Sequence, residues 1–83
     1  MMELVTFVLR AKIRKEIMLG LTKPKNQNLL AKEIGTHLPT ISRAIKALEL
    51  RKLIKCLNPE EVHFKLYALT DIGKFVQEEL KKY

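Results

Sequence analysis

Apolar residues recur along the first third of the chain at helical rather than alternating spacing. Leu9, Ile13, Ile17 and Leu21 fall four residues apart, and Leu4, Val8, Ala11 and Met18 broaden that stripe, which predicts one helix over residues 3–21. Its opening run, LVTFVL, is apolar nearly all round, more than a single core-facing stripe requires. The segment TKPKNQN breaks the pattern, with Pro24 as the stop and Asn26 placed to cap the next helix. Leu30, Ala31 and Ile34 share one face of this short second helix, which Gly35 punctuates. Ile41, Ala44, Ile45 and Leu48, spaced i, i+3, i+4, i+7, predict a third helix from Leu38 to Arg51. Pro39 fits its first turn, where a missing N–H costs little.

The period then shortens. LIKCL and VHFKLYAL are brief alternating runs separated by NPEE, an Asn-Pro turn, and predict an antiparallel hairpin over residues 54–69. Thr70 is placed to cap a last helix over residues 71–82, with Asp71 in its first turn and Lys81 and Lys82 at its end. Ile72, Phe75, Val76 and Leu80 are its expected buried face. No repeat or low-complexity linker interrupts the order helix, helix, helix, strand, strand, helix. The expectation is one mainly α domain over residues 1–83, with 27–51 as a helical pair and a small β-hairpin beside it.

Composition narrows the partners. The formal net charge is +7 and the pI about 9.8, so the surface field favours an anion, either nucleic acid or an acidic membrane. No stretch approaches the ~18 consecutive apolar residues of a membrane span. The basic residues near the N-terminus follow its short apolar run instead of preceding it, unlike a signal peptide. A soluble cytoplasmic protein is expected. Cys56 is the only cysteine, so neither an internal disulfide nor a thiolate zinc set is available. With one Asp, two His and no Gly-rich phosphate loop, the chain shows no catalytic constellation, and neither an enzyme nor a cofactor is expected.

Two short helices joined by a tight turn and followed by a hairpin describe a winged helix-turn-helix. The stretch LAKEIGTHLPTISRAIKALELRKLI, residues 30–54, resembles the helix-turn-helix of ArsR-like and MarR-like transcription regulators. The matching positions are Leu30-Ala31, Gly35, the run Pro39 to Arg43, Lys46, Leu48-Glu49 and Leu53-Ile54. YALTDIG, residues 67–73, resembles the strand-to-helix passage that closes the wing in the same superfamily. The resemblance implies that helix 38–51 is a recognition helix lying in the DNA major groove.

The residues fit that role. With one face of the helix fixed to the core, Thr40, Arg43 and Lys46 are expected outward along one ridge. Arg43 can fork two hydrogen bonds to guanine O6 and N7, Thr40 can meet a thymine methyl or a phosphate, and Lys46 reaches more naturally to a phosphate. Ser42 lies on the flank and can donate to the DNA backbone.

Several positions depart from the family pattern. Thr36 and His37 occupy the turn, where Thr36 is expected to cap the helix and His37 to stand near the phosphates. Lys52 stands where the family commonly has Gly, so either it takes a left-handed conformation or the helix runs on. Glu60 and Glu61 at the wing tip argue against minor-groove reading there, leaving Lys55, His63 and Lys65 on the strands to touch the backbone. Arg10, Lys12, Arg14 and Lys15 read as a solvated face flanking the DNA. The surplus apolar surface, Leu4, Val5, Phe7 and Val8 with Phe75 and Leu80, reads as a homodimer interface.

The sequence thus predicts a homodimer that binds double-stranded DNA sequence-specifically and regulates transcription; it names no small-molecule effector. The alternatives are an architectural DNA binder without sequence preference and a protein-interaction winged helix in a larger assembly.

Overall fold

The computed structural model describes all 83 residues. Five helices and one hairpin follow in the order α1 (Met2–Leu9), α2 (Lys12–Gly20), α3 (Gln27–Ile34), α4 (Leu38–Leu50), β1 (Ile54–Cys56), β2 (Tyr67–Leu69) and α5 (Asp71–Leu80). The expected single helix over residues 3–21 is two helices, because Ala11 is extended at φ −137, ψ 118. At about 100° per residue, Val5 and Val8 would point largely away from Ile17 and Leu21 on one unbroken helix, with Met18 between the two sets. The break turns both sets into one core, where all five are buried. Arg14 secures the joint by donating from its guanidinium to the Phe7 carbonyl at 2.9 Å.

That core lies between two groups of helices. α2 packs against α3 and α4 on one side and against α1 and α5 on the other. Ile41, Ala44, Ile45 and Leu48 of α4 are buried as their spacing requires. On α5 the buried positions are Gly73, Val76 and Leu80, while Ile72 and Phe75 are exposed, a correction to its expected buried face. Gly73 sets that rotation, because its backbone lies directly against the Leu53 carbonyl.

The hairpin is shorter than the alternating runs suggested. β1 and β2 pair antiparallel through Ile54–Leu69, Lys55–Ala68 and Cys56–Tyr67. One further backbone bond, from Leu57 N–H to the Leu66 carbonyl at 2.8 Å, extends the ladder. Beyond it the Asn58 side chain replaces a strand. Its Oδ1 accepts from the Leu66 amide at 2.7 Å, and its Nδ2 donates to the Phe64 carbonyl at 2.9 Å. Val62 and Phe64 alternate as a strand would, but no partner covers them, and they are 80% and 63% exposed. Lys25 adds a short third edge: its N–H donates to the Tyr67 carbonyl at 3.0 Å, and the Tyr67 N–H donates back at 2.9 Å. Lys25 is buried, with its ammonium 2.7 Å from Glu33.

Between α4 and β1, Lys52 takes the left-handed alternative, at φ 60. A side chain there costs about 1–2 kcal/mol, partly offset on replacement by the greater unfolded-state freedom of glycine. Lys52→Gly is therefore expected to stabilise the fold by about 0.5–1 kcal/mol in urea denaturation. An unchanged or lower midpoint would remove this account of the turn.

Candidate nucleic-acid interface

The turn between α3 and α4 is set by backbone geometry at both ends. Asn26 caps α3, its Oδ1 accepting from the Leu29 amide at 2.7 Å. Gly35 ends that helix in the left-handed region, at φ 80, ψ 41, a conformation it adopts without steric cost. The N-cap of α4 is His37 rather than Thr36, and no side chain caps the helix. The His37 carbonyl instead accepts from the Thr40 and Ile41 amides at 3.1 and 3.2 Å. His37 is exposed at the start of α4, and Thr36 is half-buried in the turn.

With its core face fixed, α4 presents Pro39, Arg43, Lys46 and Leu50 to solvent. Neither Arg43 nor Lys46 has a carboxylate within salt-bridge distance, and Glu49 does not hold Lys46. Thr40 departs from the expected ridge. It is half-buried on the flank, lining a recess with Ala11, Ile13, Arg14 and Arg43. Ser42 lies off the ridge as expected, but its hydroxyl donates to Gln27 Oε1 across the helix pair. Gln27 Nε2 in turn donates to the Tyr67 hydroxyl at 3.4 Å. Ser42, Gln27 and Tyr67 thus tie α4, α3 and the wing together, which makes Ser42 a positioning residue.

Burial holds the Tyr67 phenol above the usual 10.0, against the opposing hydrogen bond from Gln27, with smaller contributions from Glu49 and Cys56. A group whose folded value is raised gives stability that is fully present below its unfolded value and lost as pH rises through the folded one. Melting temperature is therefore expected to fall above about pH 10, and Tyr67→Phe to remove that part of the fall. Parallel melts of both proteins through the alkaline range check this, and identical slopes would contradict it.

The two wing lysines separate. Lys65 and His63 lie beside the start of the helix pair, lining a recess with Asn26, Gln27, Asn28 and Leu38. Lys55 faces elsewhere, into an open cleft of about 570 Å³ with Lys23 and Lys74. Glu60 and Glu61 are exposed at the tip, where the Glu61 N–H donates to the Asn58 carbonyl at 3.0 Å. The half-buried Cys56 thiol contacts Asn58 Oδ1 at 3.7 Å. No group of three or more His, Cys, Asp or Glu side chains is placed to hold a metal ion.

The expected dimer surface changes most. Val5, Val8 and Leu80 belong to the chain's own core, at 2%, 0% and 0% exposure, and are corrected out of it. Phe7 is covered by cations: the Arg14 and Arg51 guanidinium carbons lie 4.0 and 4.2 Å from its ring centroid. Leu4 is half-buried, while Phe75 is exposed, as are Ile72 on the same helix and Met2 on α1. Sequence reasoning missed Gln27, Arg14 and Arg51 as organising residues, since each acts on a partner remote in the chain.

Three helices with a tight turn between the last two, flanked by a two-stranded hairpin, define a winged helix-turn-helix domain. Its neighbours among solved structures are MarR-family winged-helix transcription regulators. Lactococcus lactis ZitR in complex with DNA is 19% identical, with a TM-score of 0.75 over 84% of this chain and 49% of that one. The MarR family transcription regulator SP03579 is 23% identical, with a TM-score of 0.77 over 90% of this chain and 54% of that one. A point mutant of S. aureus MepR bound to oligodeoxyribonucleotide is 26% identical, with a TM-score of 0.68 over 82% and 54% of the two chains. The chain spans about half the length of these structures. No protein-family model matches the sequence, and no curated protein matches it. No helix is long and apolar enough to cross a membrane.

Proposed function

We propose that this chain binds double-stranded DNA sequence-specifically and regulates transcription, with α4 in the major groove. One observation carries the reading: α4 is locked to the core along one face and presents Arg43 and Lys46, both without carboxylate partners, on the other. Two of the structures similar to it, ZitR and MepR, are bound to DNA. Arg43 reads a guanine edge, and Lys46 and His37 meet phosphates on either side of it. Thr36 lines the turn that approaches the duplex, Thr40 stands on the flank of α4 beside Arg43, and Lys65 and His63 bring the base of the wing to the same strand. Lys55, turned into its own cleft, is left out of this contact set.

The working unit is a cytoplasmic homodimer paired through α1 and α5, where Leu4 is half-buried and Ile72 and Phe75 are exposed. Two-fold pairing sets two copies of α4 on half-sites about one helical turn apart.

Selection of binding sites from a random duplex pool at near-physiological salt tests the reading. An enriched inverted repeat is the expected result. Retained duplex with no enriched motif would make the protein architectural. Absence of recovery would remove the DNA reading. It would favour a protein partner at the exposed apolar and acidic wing, where Val62 and Phe64 stand beside Glu60 and Glu61.

A further inference from the structure

The chain has four arginines, and the fold gathers all of them along one flank of α4. Arg43 and Arg14 line the same recess beside Thr40 and Ala47. Arg14 and Arg51 both lie over the Phe7 ring, and Arg51 and Arg10 line the next recess along α1. None of the four is within salt-bridge distance of a carboxylate. The one acid on the track, Glu3, is at its far end and pairs with the N-terminal ammonium at 3.5 Å. Uncompensated like charges held this close raise the local potential and favour an anion beside them.

We propose that Arg10, Arg14 and Arg51 form a second DNA contact, a clamp on the phosphodiester backbone beside the groove that α4 enters. The inference rests on the DNA-binding reading and extends it from the helix-turn-helix to the joint between α1 and α2. Geometry selects the ligand. From Arg43 to Arg51 the track follows α4 for about 12 Å at 1.5 Å per residue, long enough to meet more than one phosphate of a strand. Guanidinium groups suit this use because their planar fork matches a phosphate and they stack on aromatic rings. Phe7 supplies the ring, and the Arg14 bond to the Phe7 carbonyl fixes one fork in advance. The break at Ala11 is what brings α1 and its ring to this position.

The test is a salt series of anisotropy titrations on a selected duplex and on a scrambled one. The proteins are the unmodified chain, Arg10→Gln, Arg14→Gln, Arg51→Gln and the Arg14→Gln/Arg51→Gln double variant. Each lost phosphate contact is expected to reduce the slope of log affinity against log salt by about 0.9. The reduction is equal on both duplexes, because backbone contacts carry no sequence information. Lys81→Gln removes the same charge from a lysine that pairs with Glu78 at the far end of α5, and leaves the slope unchanged. Arg10 makes no side-chain hydrogen bond or ion pair within the chain, so its variant reports on DNA even if loss of Arg14 disturbs the α1–α2 joint.

Slopes unchanged in Arg10→Gln and the double variant, with specific binding intact, would overturn the clamp and spare the functional reading. Unchanged slopes with an altered oligomeric state would put an acidic surface of a second copy on the track, and would also overturn it. If the unmodified chain binds neither duplex, the functional reading and the clamp fall together.

Discussion

Gly73→Ala is expected to destabilise the domain by about 3 kcal/mol or more, the upper end of overpacking costs, or to prevent folding outright. A Cβ at this position would overlap the Leu53 carbonyl oxygen and sit 3.0 Å from its carbon, so backbone would have to move. That carbonyl cannot retreat cheaply. It accepts from the Thr70 amide at 3.1 Å and the Thr70 hydroxyl at 3.2 Å, and the same hydroxyl donates to the Lys52 carbonyl at 2.6 Å. Thr70 also caps α5, accepting from the Gly73 amide at 3.0 Å. One substitution therefore strains the exit of α4, the start of β1 and the first turn of α5 together. Gly20→Ala is the control, since its new methyl would meet only Leu30 in ordinary contact at 3.8 Å. Urea denaturation of both variants decides the matter, and equal midpoints would show that the Leu53–Gly73 approach is not constrained.

Arg43→Ala is expected to lower discrimination between the selected site and a single-base variant of it by roughly 1–3 kcal/mol, the worth of one bidentate base contact. Affinity for unrelated duplex should fall much less, and the thermal midpoint should hold, because Arg43 is exposed and has no ion-pair partner. Lys46→Ala gives the contrasting pattern, a uniform loss on every sequence with a shallower salt slope. If Arg43→Ala weakens all duplexes alike, Arg43 contacts phosphate and sequence is read elsewhere.

The elements on which these two predictions rest were legible in the sequence to different degrees. The core face of α4 could be read from spacing alone, as could the caps at Asn26 and Thr70 and the stop at Gly35, because each is decided within a few residues. The break at Ala11 could not. Arg10, Ala11 and Lys12 are all adequate helix formers, and only the need to bring Val5 and Val8 to the same core as Ile17 and Met18 ends α1 there. The same requirement consumed apolar surface that local reading assigned to a second subunit. The wing misled for the opposite reason: Val62, Phe64 and Leu66 alternate, but Asn58 holds the loop in place of a strand.

Among the site residues, Arg43 and Lys46 stand where periodicity put them. Ser42 faces Gln27 through a contact that no local pattern encodes. The arginine track is invisible in one dimension, since positions 10, 14, 43 and 51 share no period.

The exchange of backbone bonds between Lys25 and Tyr67 also bears on how the molecule assembles. The packing of α2 on α3 and of α3 on α4 joins consecutive elements, whereas this bridge closes a loop containing the entire α3–α4 pair and most of the wing. Ordering so long a loop costs entropy that only a nearly complete core can offset. The bridge is therefore late to form and early to open, and the Lys25 and Tyr67 amides should exchange with solvent faster than those inside α4. The wing would then be the part of the domain that a passing equilibrium fluctuation releases first, while the groove-facing helix keeps its shape.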